Sequence, residues 1–207
     1  MPGVEELLKT LSAGTTKPKL YFAVATGTGA RNYGLKTSHL KELFSYFPTD
    51  QIVLGDDKRI QPGRLKPAPD IYLLALETIN NGIRQRRKEE GSTETEITKE
   101  ECLVFEDAIQ GVTAGRRAGM RVVWCPHKEL LEEYKGREKE VLAGLMGGHE
   151  GEEVDSTGTN DGLGQKGKPG EIDDGWAQLL PSLERFPYHE YGIDVRDGRP
   201  QMEVFRK

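Results

Sequence analysis

The chain has 207 residues, 35% of them apolar, enough for one compact core of ordinary size and too few for two generous ones. Its 34 acidic and 29 basic side chains leave a formal charge of −5, so no large positive field attracts nucleic acid or an anionic membrane. Two cysteines, Cys102 and Cys125, lie too far apart in sequence for a disulfide framework or a paired zinc spacing, and read as buried thiols in a reducing compartment.

The opening Met1-Pro2-Gly3-Val4-Glu5-Glu6 has no basic stretch leading into an apolar core, so no secretory signal is visible. The longest apolar run, residues 20–25, is far short of the roughly 20 residues of a membrane helix. A soluble cytoplasmic protein with no nucleic-acid or membrane partner is the expectation. The oligomeric state is not legible.

In chain order, Leu20-Tyr21-Phe22-Ala23-Val24-Ala25 is a continuous apolar run ended by Thr26-Gly27-Thr28-Gly29, the pattern of a strand buried on both faces in a parallel sheet. Leu40, Leu43, Phe44 and Phe47 follow at helical spacing, predicting one amphipathic helix over residues 32–47. Ile52-Val53-Leu54, stopped by Gly55-Asp56-Asp57, predicts a second strand. After Lys66-Pro67-Ala68-Pro69-Asp70, the residues Ile71, Leu74, Ala75, Thr78 and Ile79 repeat at helical spacing, with Pro69 suited to a first turn.

Residues 84–101 are nearly all charged or small and polar, and read as a solvated insertion. Cys102-Leu103-Val104-Phe105 then predicts a strand running into Glu106-Asp107. A helix from about Ile109 ends at Ala118-Gly119, glycine being the usual residue just past a helix end. Arg121-Val122-Val123-Trp124-Cys125 predicts another strand. Residues 128–145 read as a further helix with an imperfect apolar stripe, residues 147–175 as a disordered glycine-rich linker, and residues 176–207 as a closing segment whose apolar residues pack back on the core. Alternating strands and helices argue for right-handed βαβ units, an α/β fold with an open, doubly wound parallel sheet over residues 1–145. In such a sheet, ligands sit at the carboxyl ends of the strands.

Three polar features fall at those ends. Thr26 places a hydroxyl directly after a strand, and Gly27 lets backbone N–H groups approach an anion; taken alone, such a threonine is more often a turn or capping residue. Lys66 sits on a backbone stiffened by Pro67 and Pro69, a good point charge for a phosphoryl oxygen, though a plain surface lysine fits the same position. Glu106 and Asp107 are adjacent carboxylates, hard oxygen ligands of the kind Mg²⁺ takes one or two at a time, while Asp107 also suits a helix amino end.

The order of the three is more specific than any one. Ala23-Val24-Ala25-Thr26, Lys66-Pro67-Ala68-Pro69-Asp70-Ile71-Tyr72 and Leu103-Val104-Phe105-Glu106-Asp107-Ala108-Ile109-Gln110-Gly111, ending in Ala118-Gly119-Met120, resemble motifs two, three and four of the haloacid dehalogenase-like superfamily. The wording is that of the branch holding pseudouridine-5'-phosphatase and β-phosphoglucomutase, whose core is a Rossmannoid sheet. Met1-Pro2-Gly3-Val4 resembles the start of the second stretch of that core, after the cap domain. The resemblance covers about residues 1–127, with a weaker likeness over 183–193.

The resemblance implies a Mg²⁺-dependent phosphatase acting on a small phosphorylated metabolite, such as a nucleotide-like or sugar phosphate. In that family an aspartate of a hydrophobic-Asp-x-Asp-Gly-Thr motif attacks phosphorus and a second aspartate is the general acid and base. Carried over, Thr26 and Gly27 would bind the phosphoryl oxygens and Lys66 would neutralise them. Asp107 would ligate Mg²⁺ directly, with Glu106 ligating it or its water; Thr26, Lys66 and Asp107 form the catalytic set.

The first motif itself is absent. Val154-Asp155-Ser156-Thr157-Gly158-Thr159 and Asp173-Asp174-Gly175 imitate its ending but follow no apolar strand. The missing motif takes with it a strand that in the family lies between the strands ending at Thr26 and at Glu106-Asp107, leaving two edges without a partner, and it takes the cap as well. The chain therefore reads as a truncated product with little or no turnover of its own. The alternatives are a non-catalytic phosphate- and metal-binding protein and a phosphomutase of the same family.

Overall fold

The computed structural model describes residues 1–147 and 169–195. Helices α1 (Val4–Ser12), α2 (Ala30–Thr37), α3 (Lys41–Phe44), α4 (Asp70–Glu90), α5 (Ile109–Arg117), α6 (Lys128–Glu133) and α7 (Glu138–Leu142) alternate with short strands. The strands are β1 (Thr16–Lys17), β2 (Val24–Ala25), β3 (Ile52–Val53), β4 (Leu103–Glu106), β5 (Arg121–Trp124), β6 (Ala177–Leu179) and β7 (Asp194–Val195). Strand β2 pairs parallel with β3, and β4, β5 and β6 form a second parallel sheet in that order, while β1 and β7 make a small antiparallel pair.

Strand β5 shows why the second sheet is covered on both sides. Successive side chains of a strand point to opposite faces. Val122 and Trp124 join a core with Val104, residues of α4 and α5, and Val141 of α7. Val123 and Cys125 join Leu7 and Leu11 of α1 together with Leu183, Phe186 and Ile193. Layers thus lie on both faces of a parallel sheet, the doubly wound arrangement expected from the alternating pattern. The late segment belongs to this core: β6 extends the sheet beside β5, and the Leu183 amide donates to Pro2 O at 2.9 Å, tying it to the start of α1.

Strands β2 and β4 do not pair with each other, so each keeps one edge without a strand partner among the described residues. This corrects the six-residue strand expected at 20–25. Only Val24–Ala25 forms a ladder, because one neighbour, β3, is itself two residues long and the other side is open. Residues 20–26 are all half-buried rather than enclosed.

Three helix expectations are corrected. The single helix over 32–47 is instead α2 and α3: the Thr37 and Ser38 hydroxyls bond back to Tyr33 O and Leu35 O, competing with the backbone ladder at the break. The fold-back lets Tyr33 meet Phe44 edge-on at 5.6 Å. The solvated loop expected at 84–101 begins only after Glu90. Arg, Gln, Lys and Glu are good helix formers, and Ile83 is fully buried, so α4 runs 21 residues to a left-handed Gly91. The helix expected over 128–145 breaks into α6 and α7 around Gly136, whose φ of 81° ends the first of them.

The span read as disordered, 147–175, lies mostly outside the described residues. Its described end is held in place, since Asp174 pairs with the fully buried Arg116 and Gly170 N donates to Ala143 O.

Candidate functional site

The Thr26 amide donates to Val53 O at 3.1 Å, continuing the β2–β3 ladder. Its hydroxyl oxygen accepts from the Thr28 amide at 3.2 Å, so the O–H proton remains for a ligand. The loop carrying Thr26 and Gly27 is clamped onto the loop after β3: Gly55 N donates to Thr28 O at 3.1 Å. A Cβ on Gly55 would stand 2.0 Å from Gly27 O, an approach only glycine permits. Asp56 finishes the clamp by accepting the Ala30 amide on both carboxylate oxygens, at 3.1 and 2.9 Å, where α2 begins.

Lys66 lies in the loop before α4, its side chain 17% exposed. The ammonium donates to Ala25 O at 3.1 Å, on the residue before Thr26, and to Glu106 Oε1. It therefore bridges the end of β2 and the end of β4, strands that do not pair with each other. Arg117 of α5 donates to Pro67 O at 3.2 Å and fixes the same loop from the other side.

Glu106 ends β4 and is buried. Its Oε1 accepts from both Lys66 and the Tyr72 hydroxyl, and its Oε2 accepts weakly from Ala108 N at 3.4 Å. A cationic partner and a neutral donor are what a buried carboxylate requires, since burying it unpaired is costly. Burial pushes the Tyr72 phenol well above its ordinary value, and the Glu106 and Asp107 charges push it further in the same direction, so it stays protonated and donates. The Lys66 ammonium also lies 4.9 Å from the centre of the Tyr72 ring.

Asp107, the next residue, is exposed and makes no hydrogen bond or ion pair with a described residue. Its carboxylate is free for a ligand. Among the described residues no group of three or more His, Cys, Asp or Glu side chains converges on one point. Glu106 and Asp107 are nevertheless hard oxygen donors side by side at a strand end, the type of which Mg²⁺ takes few, filling the rest of its sphere with water and phosphate oxygens.

The structure places Lys66 between the loop of Thr26 and Gly27 and the Glu106–Asp107 pair. Of the two imitations of the first motif, residues 154–159 lie outside the described residues. In the other, Asp174 is occupied by Arg116 and Asp173 by Lys139. Sequence reasoning missed Asp56, Tyr72 and Gly111 as parts of the site. Tyr72 had a signal, a phenol on the same helix face as the buried Ala75 and Ile83.

Residues 1–119 match the family model described as haloacid dehalogenase-like hydrolase. An uncharacterized protein of Schizosaccharomyces pombe is 32% identical over 191 residues, 92% of this chain and 60% of its own length. A probable pseudouridine-5'-phosphatase of Saccharomyces cerevisiae is 40% identical over 129 residues, 62% of this chain and 48% of its own. (DL)-glycerol-3-phosphatase 2 of Arabidopsis thaliana is 35% identical over 146 residues, 70% of this chain and 52% of its own. The chain spans about half the length of the curated relatives it matches. With Thr26 and Glu106–Asp107 following parallel strands, Lys66 between them, and a family match over more than half its residues, the chain belongs to the haloacid dehalogenase-like hydrolases.

Proposed function

We propose that these residues form the phosphate- and metal-binding half of a Mg²⁺-dependent phosphatase acting on a small phosphorylated metabolite. The observation that carries the reading is Lys66, whose ammonium joins the Thr26 end of β2 to the carboxylate pair ending β4. In this reading Thr26 and the Gly27 amide hold phosphoryl oxygens, Lys66 neutralises them, and Asp107 holds Mg²⁺, with Glu106 behind it. Bound Mg²⁺ would supply charge neutralisation on the phosphoryl group. The protein's share is positioning and electrostatics, since phosphoryl transfer asks little else of it.

Turnover further requires a carboxylate nucleophile, and the hydrophobic-Asp-x-Asp-Gly-Thr pattern that supplies it in the family does not occur in these 207 residues. The named relatives suggest the substrates to try: a probable pseudouridine-5'-phosphatase and a (DL)-glycerol-3-phosphatase point to pseudouridine-5'-phosphate and glycerol-3-phosphate. The missing motif also favours a second reading, a non-catalytic protein that binds phosphate and metal.

The test is phosphate release from both substrates with Mg²⁺, by the 207-residue chain alone and joined to a segment carrying the Asp-x-Asp-Gly-Thr strand. The chain alone is expected to be nearly inert, the joined protein active, and the joined Asp107→Ala variant inactive. A joined, folded protein without activity refutes the phosphatase reading and leaves the binding protein. Robust release by the chain alone, lost in Asp107→Ala, refutes the need for an added nucleophile.

A further inference from the structure

Lysine has three N–H donors. On Lys66 two are used, by Ala25 O and Glu106 Oε1, and the third remains for a ligand. Its direction is fixed only if both acceptors are fixed. Ala25 O belongs to a strand. Glu106 Oε1 is the end of a flexible side chain, and what holds it lies outside the set Thr26, Lys66 and Asp107: the Tyr72 hydroxyl on Oε1, and the space at Gly111, where a Cβ would stand 2.0 Å from the Glu106 carboxyl carbon. Tyr72 is buried against the core. The carboxylate has one place to sit, packed against the backbone of α5 with two donors on the same oxygen.

We propose that Tyr72 is a positioning residue which, with the space left at Gly111, pins Glu106 so that the Lys66 ammonium presents its third N–H to the phosphoryl group. The assignment rests on the reading of this cleft as a phosphate site. It makes Glu106, through Oε1, the anchor of the lysine, while the exposed carboxylate of Asp107 is free for the cation.

The experiment is calorimetric titration of the 207-residue chain with inorganic phosphate in the presence of Mg²⁺, and separately with Mg²⁺ alone. Lys66→Met is expected to abolish phosphate binding, which tests the site itself. Tyr72→Phe keeps the ring and removes one donor to a charged group, and is expected to weaken phosphate about tenfold while leaving Mg²⁺ affinity within about twofold. Glu106→Gln, which keeps the shape and drops the charge, is expected to weaken phosphate to a similar degree. In ¹⁵N-lysine-labelled protein the Lys66 ammonium should give a resolved resonance that Tyr72→Phe broadens away, a signature that loss of general stability does not produce.

The outcomes separate. No phosphate binding by the parent chain, or binding unchanged in Lys66→Met, overturns the phosphate-site reading and this assignment with it. Binding lost in Lys66→Met but unchanged in Tyr72→Phe and Glu106→Gln overturns the positioning role alone. Equal losses of phosphate and Mg²⁺ affinity in Tyr72→Phe, with the ammonium resonance intact, also overturn it, since Tyr72 would then be only a core residue.

Discussion

Gly111→Ala is the sharpest probe of how firmly Glu106 is held. In the third position of α5, alanine gains up to about 1 kcal/mol of helix propensity over glycine, so without a steric obstacle the substitution stabilises. The new Cβ, however, stands 2.0 Å from the Glu106 carboxyl carbon and 2.2 and 2.3 Å from its oxygens, well inside contact distance. Were Glu106 mobile it would swing away at little cost. Because Lys66 and Tyr72 hold it, moving it breaks two hydrogen bonds to a buried charge, about 1.5–3 kcal/mol each. The net effect is a loss of about 2–5 kcal/mol, or roughly 4–20 °C in melting temperature for a protein of this size. In a Glu106→Ala background the three nearest obstacles are gone, and the same substitution should instead stabilise by up to about 1 kcal/mol. Urea denaturation of the four proteins of this cycle measures both numbers. The same sign in both backgrounds refutes the pinned carboxylate.

Other expectations are independent of that site. Leu183→Ala, at a side chain 2% exposed in the second core, should lower stability by about 2–5 kcal/mol in the same denaturation experiment; a loss under 1 kcal/mol would mean that the late segment is not part of the core. Glu94 is held down from an ordinary 4.5 to about 2, first by its hydrogen bond from Lys19, then by Tyr21 and Arg86. A depressed carboxyl stabilises above its unfolded pKa, and that contribution fades as the pH falls from about 5 towards 2. Stability measured across this window should therefore fall less steeply in Glu94→Gln than in the parent. Burial, and then the Glu101 and Glu100 charges, push the Cys102 thiol up to about 12, and burial raises Cys125 too. Neither should alkylate quickly at pH 8 in the folded protein, and mass spectrometry should find both labelled once urea is added.

What was legible in the sequence was what depends on residue type and order. The run at 20–25 and Leu103-Val104-Phe105-Glu106-Asp107 lead in sequence to strand ends, and the Lys66-Pro67 turn leads into a helix, as they do in space. What could not be read depends on neighbours far along the chain. Arg84 to Glu90 looked like loop because no apolar stripe marks them; they are helical because α4 is anchored by Ile83 and its outer face faces water. The run at 20–25 looked like a central strand because it is apolar throughout, but ladder length is set by partners, and β2 has one. Tyr72 reads as a core aromatic until Glu106, 34 residues later, is placed beside its hydroxyl. Gly111 reads as a helix blemish for the same reason.

The two parallel sheets nevertheless keep their carboxyl ends together, and the cause is helix packing rather than strand pairing. Helix α4 packs on β2 and β3 and also on α5, while α5 lies on β4 and β5, so one helix layer spans both sheets. The first core mixes Val53 of β3 with Val104 of β4 through that layer. The loop that opens α4 carries Lys66 into the gap, and Arg117 of α5 holds it there through Pro67 O. The second core does the same from the other face, where Leu20 and Phe22 on one side and Leu103 and Phe105 on the other pack against the same buried cluster. Thr26, Lys66 and the carboxylate pair are therefore positioned by contacts that do not require a strand between β2 and β4. In the proposed reading, a strand bringing the nucleophile would enter a site whose phosphate- and metal-binding side chains already stand in place, so its addition should change turnover far more than phosphate affinity.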